Sequence, residues 1–238
     1  MARILKSLGV AMAALAALVA VMAPAAGAET GVLTAQGQAI VTGPQPGGIA
    51  FDIGVGPIFA VNCGPAKLDA TIEGPTDPVT FRPTYGACFA GGGELPVTVT
   101  TNGCDYQVGF TKPGSTGMPE TTGTMRAAIN CPPEQKIEIH VYENAMAHAE
   151  GVSLCTYHIA PQGPVPAGVY HNTAAMPPHV DANVNAQFTA RRTFGPEMVC
   201  GGNMFNQHLP ITLTGNYTLR AFEDVNGNEG ALTGLHVF

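Results

Sequence analysis

Apolar and polar residues alternate with a period of two along most of this chain. The clearest runs are Ile49, Phe51, Ile53, Val55; Leu95, Val97, Val99; Cys104, Tyr106, Val108, Phe110; and Met125, Ala127, Ile129, Cys131. Three more follow: Ile137, Ile139, Val141; Val180, Ala182, Val184, Ala186, Phe188; and Ile211, Leu213, Gly215, Tyr217, Leu219. Successive strand side chains point to opposite faces, so each run predicts a strand with one face buried. Parallel sheets would instead show continuous apolar strands separated by helices of ten or more residues, and none stand between these runs. The only helix candidate is the short stretch Glu143 to Ala149.

Turn-forming clusters separate the runs: Gly43 to Gly48, Glu73 to Pro78, Gly91 to Gly93, Lys112 to Ser115, and Pro161 to Gly168. That punctuation predicts an all-β fold. The expectation is an antiparallel β-sandwich, immunoglobulin-like or jelly-roll-like, of about ten to twelve strands. Pro161 to Gly168 is also rich enough in proline to be a linker. However, Cys200 beyond it has its most plausible partner, Cys155, before it, which favours one domain over residues 29–238.

Residues 1–28 have the features of a secretory signal peptide. Arg3 and Lys6 precede an apolar run from Leu8 to Met22, and Ala26-Gly27-Ala28 provides a small-x-small cleavage site. No later apolar run is long enough to span a bilayer, so nothing crosses the membrane after cleavage. The whole chain carries a formal net charge of −7, and removing Arg3 and Lys6 makes it more acidic. A nucleic-acid partner is disfavoured, because such binders concentrate positive charge on one face. The one basic pair, Arg191-Arg192, reads as a solvated strand end.

Six cysteines in an exported chain imply three disulfides. Register selects among the connectivities. If Cys104 faces Cys131 in a hairpin, residues summing to 235 meet, which pairs Tyr106 with Ile129, Val108 with Ala127 and Phe110 with Met125. If Cys63 faces Cys88, the sum is 151, which pairs Leu68 with Pro83, Ala70 with Phe81 and Ile72 with Val79. Both sets are in phase. Cys155 and Cys200 then pair by elimination. Cysteine-bound zinc is disfavoured, since the nearest two cysteines, Cys88 and Cys104, are far apart compared with the short spacing of zinc ligands.

Thr84-Tyr85-Gly86-Ala87-Cys88, Asn102-Gly103-Cys104-Asp105-Tyr106, Ile129-Asn130-Cys131-Pro132, Ile137-Glu138-Ile139, Cys155-Thr156-Tyr157, Pro161-Gln162 and the ending Gly234-Leu235-His236-Val237 carry a resemblance. In these segments the chain resembles a group of uncharacterised secreted bacterial proteins with six cysteines. The resemblance implies export, β architecture and disulfides, and no activity.

Two sets of residues are candidate metal ligands. Glu138, His140 and His158 point outward by phase. If their strands pair with a sum of 296, Glu138 faces His158 and His140 lies diagonally, a possible zinc site for a metal-dependent hydrolase. Asp224, Asn226 and Asn228 offer oxygens at alternate positions, as a calcium loop in an adhesion module would. Yet Glu229 stands where an EF-hand has its glycine, and Asn-Gly-Asn between strands also makes a hairpin turn. The chain has no G-x-S-x-G elbow and no H-E-x-x-H, and no cofactor is implied. The function expected is a non-enzymatic exported protein that binds a surface glycan or protein partner or forms part of the envelope.

Overall fold

The computed structural model describes residues 30–35, 38–45, 49–53, 60–64, 66–111, 121–201, 208–225 and 228–238. The expected signal segment, 1–28, lies outside them. Eighteen strands follow in order: β1 (Thr30–Gly31), β2 (Leu33–Ala35), β3 (Gln38–Gln45), β4 (Ile49–Asp52), β5 (Ala60–Cys63), β6 (Ala66–Glu73), β7 (Val79–Thr84), β8 (Cys88–Ala90), β9 (Leu95–Thr100), β10 (Asp105–Thr111), β11 (Thr121–Asn130), β12 (Ile137–Val141), β13 (Cys155–Ile159), β14 (Gln162–Asn172), β15 (Val180–Phe194), β16 (His208–Val225), β17 (Asn228–Thr233) and β18 (Leu235–Val237). Among the described residues two short α-helices, α1 (Ala145–Glu150) and α2 (Glu197–Cys200), and one 3-10 turn at Gly91–Gly93 complete the set. The first meets the helix expectation: Asn144 caps it, its side chain accepting a hydrogen bond from Ala147 N, and Gly151 ends it in a left-handed conformation.

Every pairing is antiparallel, and the pairings close on themselves. One circuit runs β3, β6, β7, β10, β11, β14, β15, β16 and back to β3. A second runs β4, β5, β8, β9, β12, β13, β15, β16 and back to β4. The two circuits share β15 and β16, the long uninterrupted strands. The other members join end to end in chain order: β3 with β4, β5 with β6, β7 with β8, β9 with β10, β11 with β12, and β13 with β14. The wall is therefore eight extended paths, each beside its sequence neighbour, with the last closed onto the first where Arg220 meets Thr42 and Glu223 meets Ala39. This is an up-and-down barrel in two storeys.

The all-β antiparallel class and the three disulfides hold, but the expected arrangement does not. Sixteen strands form one continuous sheet, with β2 and β18 apart, where a sandwich would divide them into two facing sheets with Greek-key crossings. Alternation reports that one face is buried and is the same whether that face lines a sandwich or a barrel. The strand count exceeds expectation because six paths are interrupted near mid-length.

One face of each strand fills the interior. In β6 the pattern is strict: Ala66, Leu68, Ala70 and Ile72 are buried, while Lys67, Thr71 and Glu73 are exposed and Asp69 is half-buried. A barrel of eight strands is just wide enough for its side chains to fill. Here they leave an apolar cavity of only about 40 Å³ among Tyr106, Met125, Ala182 and Tyr217. The polar outer face is the reverse of a lipid-facing barrel. Among the described residues no helix is long and apolar enough to cross a membrane.

β2 and β18 pair across one end of the barrel and bury Leu33, Leu235 and Val237. Asn172 fastens them, its buried side chain donating to Val237 O at 2.8 Å and accepting from Val237 N at 2.9 Å. All three disulfides are those expected, Cys63–Cys88, Cys104–Cys131 and Cys155–Cys200. The first two stand where the chain passes between storeys.

Three local expectations are corrected. Pro161 to Gly168 is neither linker nor turn: Gln162 onward is strand β14. Its prolines are tolerated because β14 is paired only with β11 until β15 joins at Gly168, so one edge needs no N–H. Gly43 to Gln45 continue β3 rather than turning, paired with Ala66 to Leu68. Finally, the hairpin with sum 151 begins as expected, Leu68 opposite Pro83, but its ladder covers only Lys67 to Asp69. Ala70 and Phe81, and Ile72 and Val79, are not paired, since β6 and β7 diverge beyond Asp69 and Arg82, while Val79 to Phe81 pair with β10 on their other edge.

Candidate functional sites

Where β6 and β7 part, the outer wall holds a cleft of about 740 Å³. Its floor is a cross-strand row: Asp69 on β6 stands opposite Arg82 on β7, and Asp105 opens β10 alongside. Ile40, Ala70, Thr71 and Thr80 line its sides, and Asp224 and Glu229 of the β16–β17 hairpin overhang it. Lys67 ties floor to overhang, its Nζ lying 3.1 Å from Asp69 Oδ1 and 3.2 Å from Glu229 Oε1. The Asp69 carboxylate, helped by Glu229 and opposed by partial burial, raises the Lys67 pKa.

The charges here are incompletely matched. Arg82 extends into solvent, 81% exposed, and its Nε comes no nearer than 3.6 Å to Asp105 Oδ1. Asp69 Oδ1 and Asp105 Oδ1 are both shielded from solvent; the first is held by Lys67 at 3.1 Å, and the second has Arg82 Nε at 3.6 Å. Asp69, Asp105, Asp224 and Glu229 outnumber Lys67 and Arg82 along the cleft, and that acidic balance favours a cationic ligand.

The calcium candidates lead to this cleft. Val225 pairs with Asn228 and Asp224 with Glu229, so β16 and β17 form a hairpin. Asp224 lines the cleft; Asn226 lies outside the described residues, and of Asn228 only the backbone pairing is described. The other cleft residues were not singled out from the sequence. The sum of 151 would have set Asp69 opposite Arg82, but no local signal places β10 beside β7.

The predicted register of the second set is present. Glu138 faces His158 and His140 faces Thr156. Glu138 lies between the two imidazoles, with Oε1 3.5 Å from His158 Nε2 and Oε2 3.6 Å from His140 Nε2. Lys136 Nζ is 3.9 Å from the same carboxylate, and Arg191 sits opposite His158. Burial, followed by the charge of Lys136, lowers the His158 pKa despite Glu138. Among the described residues no three His, Cys, Asp or Glu side chains are grouped to hold a metal ion. Both Nε2 atoms are directed at one carboxylate, and two cationic side chains flank it, which disfavours a dication.

Ser153 was not anticipated. Its Oγ lies 3.0 Å from His140 Nδ1, and Thr156 Oγ1 lies 3.3 Å from the same nitrogen. Arg191-Arg192 is corrected in part: Arg192 is buried, with Nη1 lacking a hydrogen-bond partner. Adjacent strand residues face opposite ways, and the inward phase of β15 falls on Arg192.

Comparison of the chain with protein-family models, curated proteins and solved structures returned no match.

Proposed function

We propose that this is an exported binding protein whose ligand engages the outer cleft between β6 and β7. Three disulfides fit an oxidising compartment outside the cytoplasm, and the leader-like segment 1–28 supports the same address. Among the described residues the apolar cavity inside the barrel is only about 40 Å³, far smaller than the outer cleft. The cleft is the size of a small-molecule or short-peptide site.

The observation that carries this reading is the acidic lining of that cleft, where the carboxylates of Asp69, Asp105, Asp224 and Glu229 outnumber the cations of Lys67 and Arg82. These carboxylates suit a ligand bearing amine or guanidine groups, such as a basic peptide. Titration calorimetry with a tetra-arginine peptide and with spermidine tests it. Binding to the intact protein is expected to fall at least about tenfold in the Asp69→Asn/Asp105→Asn double variant, the loss of about 1.4 kcal/mol that a charge-assisted hydrogen bond supplies. Absence of binding by either probe, or binding equal in the variant, overturns it.

A further inference from the structure

We propose that Ser153, His140 and Glu138 form an acyl-transfer site, separate from the cleft, that hydrolyses ester bonds. A nucleophilic hydroxyl needs a base within hydrogen-bond reach and a third group that orients the base. Ser153 Oγ and His140 Nδ1 are 3.0 Å apart, and Glu138 Oε2 is 3.6 Å from the opposite ring nitrogen. With the proton of His140 on Nε2, toward Glu138, the Nδ1 lone pair is free to accept the Ser153 proton. Thr156 Oγ1 limits rotation of the ring from the strand beside it.

The nucleophile is held from both sides. Ser153 lies on the link between α1 and β13, where Val152 N donates to Ala147 O at 2.9 Å and Leu154 N donates to Val141 O at 2.8 Å. Glu138 and His140 are on the outer face of the sheet and each 28% exposed. The ester class that fits is therefore an acyl group presented on an accessible part of a larger molecule.

The steps balance with water as the second substrate. Ser153 Oγ bonds to the carbonyl carbon while its proton passes to His140 Nδ1. The ester C–O bond breaks, and the leaving alcohol takes that proton. Water, deprotonated by His140, then attacks the acyl-serine; the bond from the acyl carbon to Ser153 Oγ breaks, His140 returns its proton to that oxygen, and the acid is released. Glu138 acts as a positioning residue that stabilises the imidazolium between steps.

The experiment treats the oxidised, full-length protein with a fluorophosphonate probe and measures p-nitrophenyl acetate turnover. Mass spectrometry is expected to find the label on Ser153. Turnover is expected to drop about a hundredfold or more in Ser153→Ala and in His140→Ala, with a displaced pH profile in Glu138→Gln, and to persist in His171→Ala. Equal labelling of Ser153→Ala, or neither labelling nor turnover by the folded wild-type protein at neutral and mildly alkaline pH, overturns the proposal.

Discussion

The side-chain amide of Gln162 pairs with the main chain of Thr189 as a neighbouring strand would. Its Oε1 accepts from Thr189 N at 2.7 Å and its Nε2 donates to Thr189 O at 2.8 Å. The site is a fork: on this edge β15 is paired with β14 up to Val184 and with β13 from Arg191. Between them the backbone of β15 would lack partners, and one glutamine fills the place of a missing strand residue. Gln162→Ala is expected to lower stability by about 1 kcal/mol. Hydrogen exchange at the Thr189 amide should accelerate selectively, and unchanged protection there would show that the contact contributes nothing.

Gly168, where β14 joins β15, has a φ of +109°, and a Cβ added there would lie 2.1 Å from Asn183 O. Both the backbone conformation and the space exclude a larger residue. Gly168→Ala is expected to cost more than about 1 kcal/mol, read as a lower denaturation midpoint with an unchanged m-value.

Cys155–Cys200 closes the longest of the three loops, spanning 45 residues against 25 and 27. In the chain-entropy model its removal costs about 4 kcal/mol. The Cys155→Ala/Cys200→Ala variant should therefore melt at a markedly lower temperature. Peptide mapping of the unreduced protein should recover only the three sequential crosslinks.

Much of this was legible in the chain. Constant-sum registers place Tyr106 opposite Ile129 and Glu138 opposite His158, because ladders next to a turn depend on local sequence alone. The inward phase from Val180 to Ala190 also predicts that Arg192 faces the core, although its charge suggests the surface. Closure was not legible: the meeting of Arg220 with Thr42 joins distant segments whose alternation is compatible with either architecture. The cleft and Ser153 were likewise hidden, since Asp105 reaches Arg82, and Ser153 reaches His140, only through packing between elements.

Two tyrosines predict an alkaline limit. Tyr85 and Tyr106 share a hydrogen bond of 2.6 Å between their hydroxyls, and burial raises both pKa values, that of Tyr106 to about 12. The folded protein holds them neutral, while the unfolded chain ionises near 10. Their contribution to stability is complete below pH 10 and is lost as pH rises toward 12. Tyrosinate absorbance should therefore appear together with loss of β-sheet ellipticity, and ionisation of Tyr106 in a fully folded chain would contradict this.

At the acid side the sign is opposite. His158 and His236 both have pKa values lowered by burial, so the unfolded chain takes up protons first as pH falls. Stability is whole above about 6.5 and declines below it, levelling once the folded forms also protonate. His158→Gln should make the melting temperature less sensitive to pH across that interval.

Because Arg220 must reach Thr42 before the wall is complete, the nascent molecule is for a time an open ribbon with two bare margins. Such margins recruit other chains. Two of the sulfur bridges join hairpin neighbours, and those can form before the circle shuts. Oxidation at that stage ties each bridged pair of neighbours into its native register while the margins are still open.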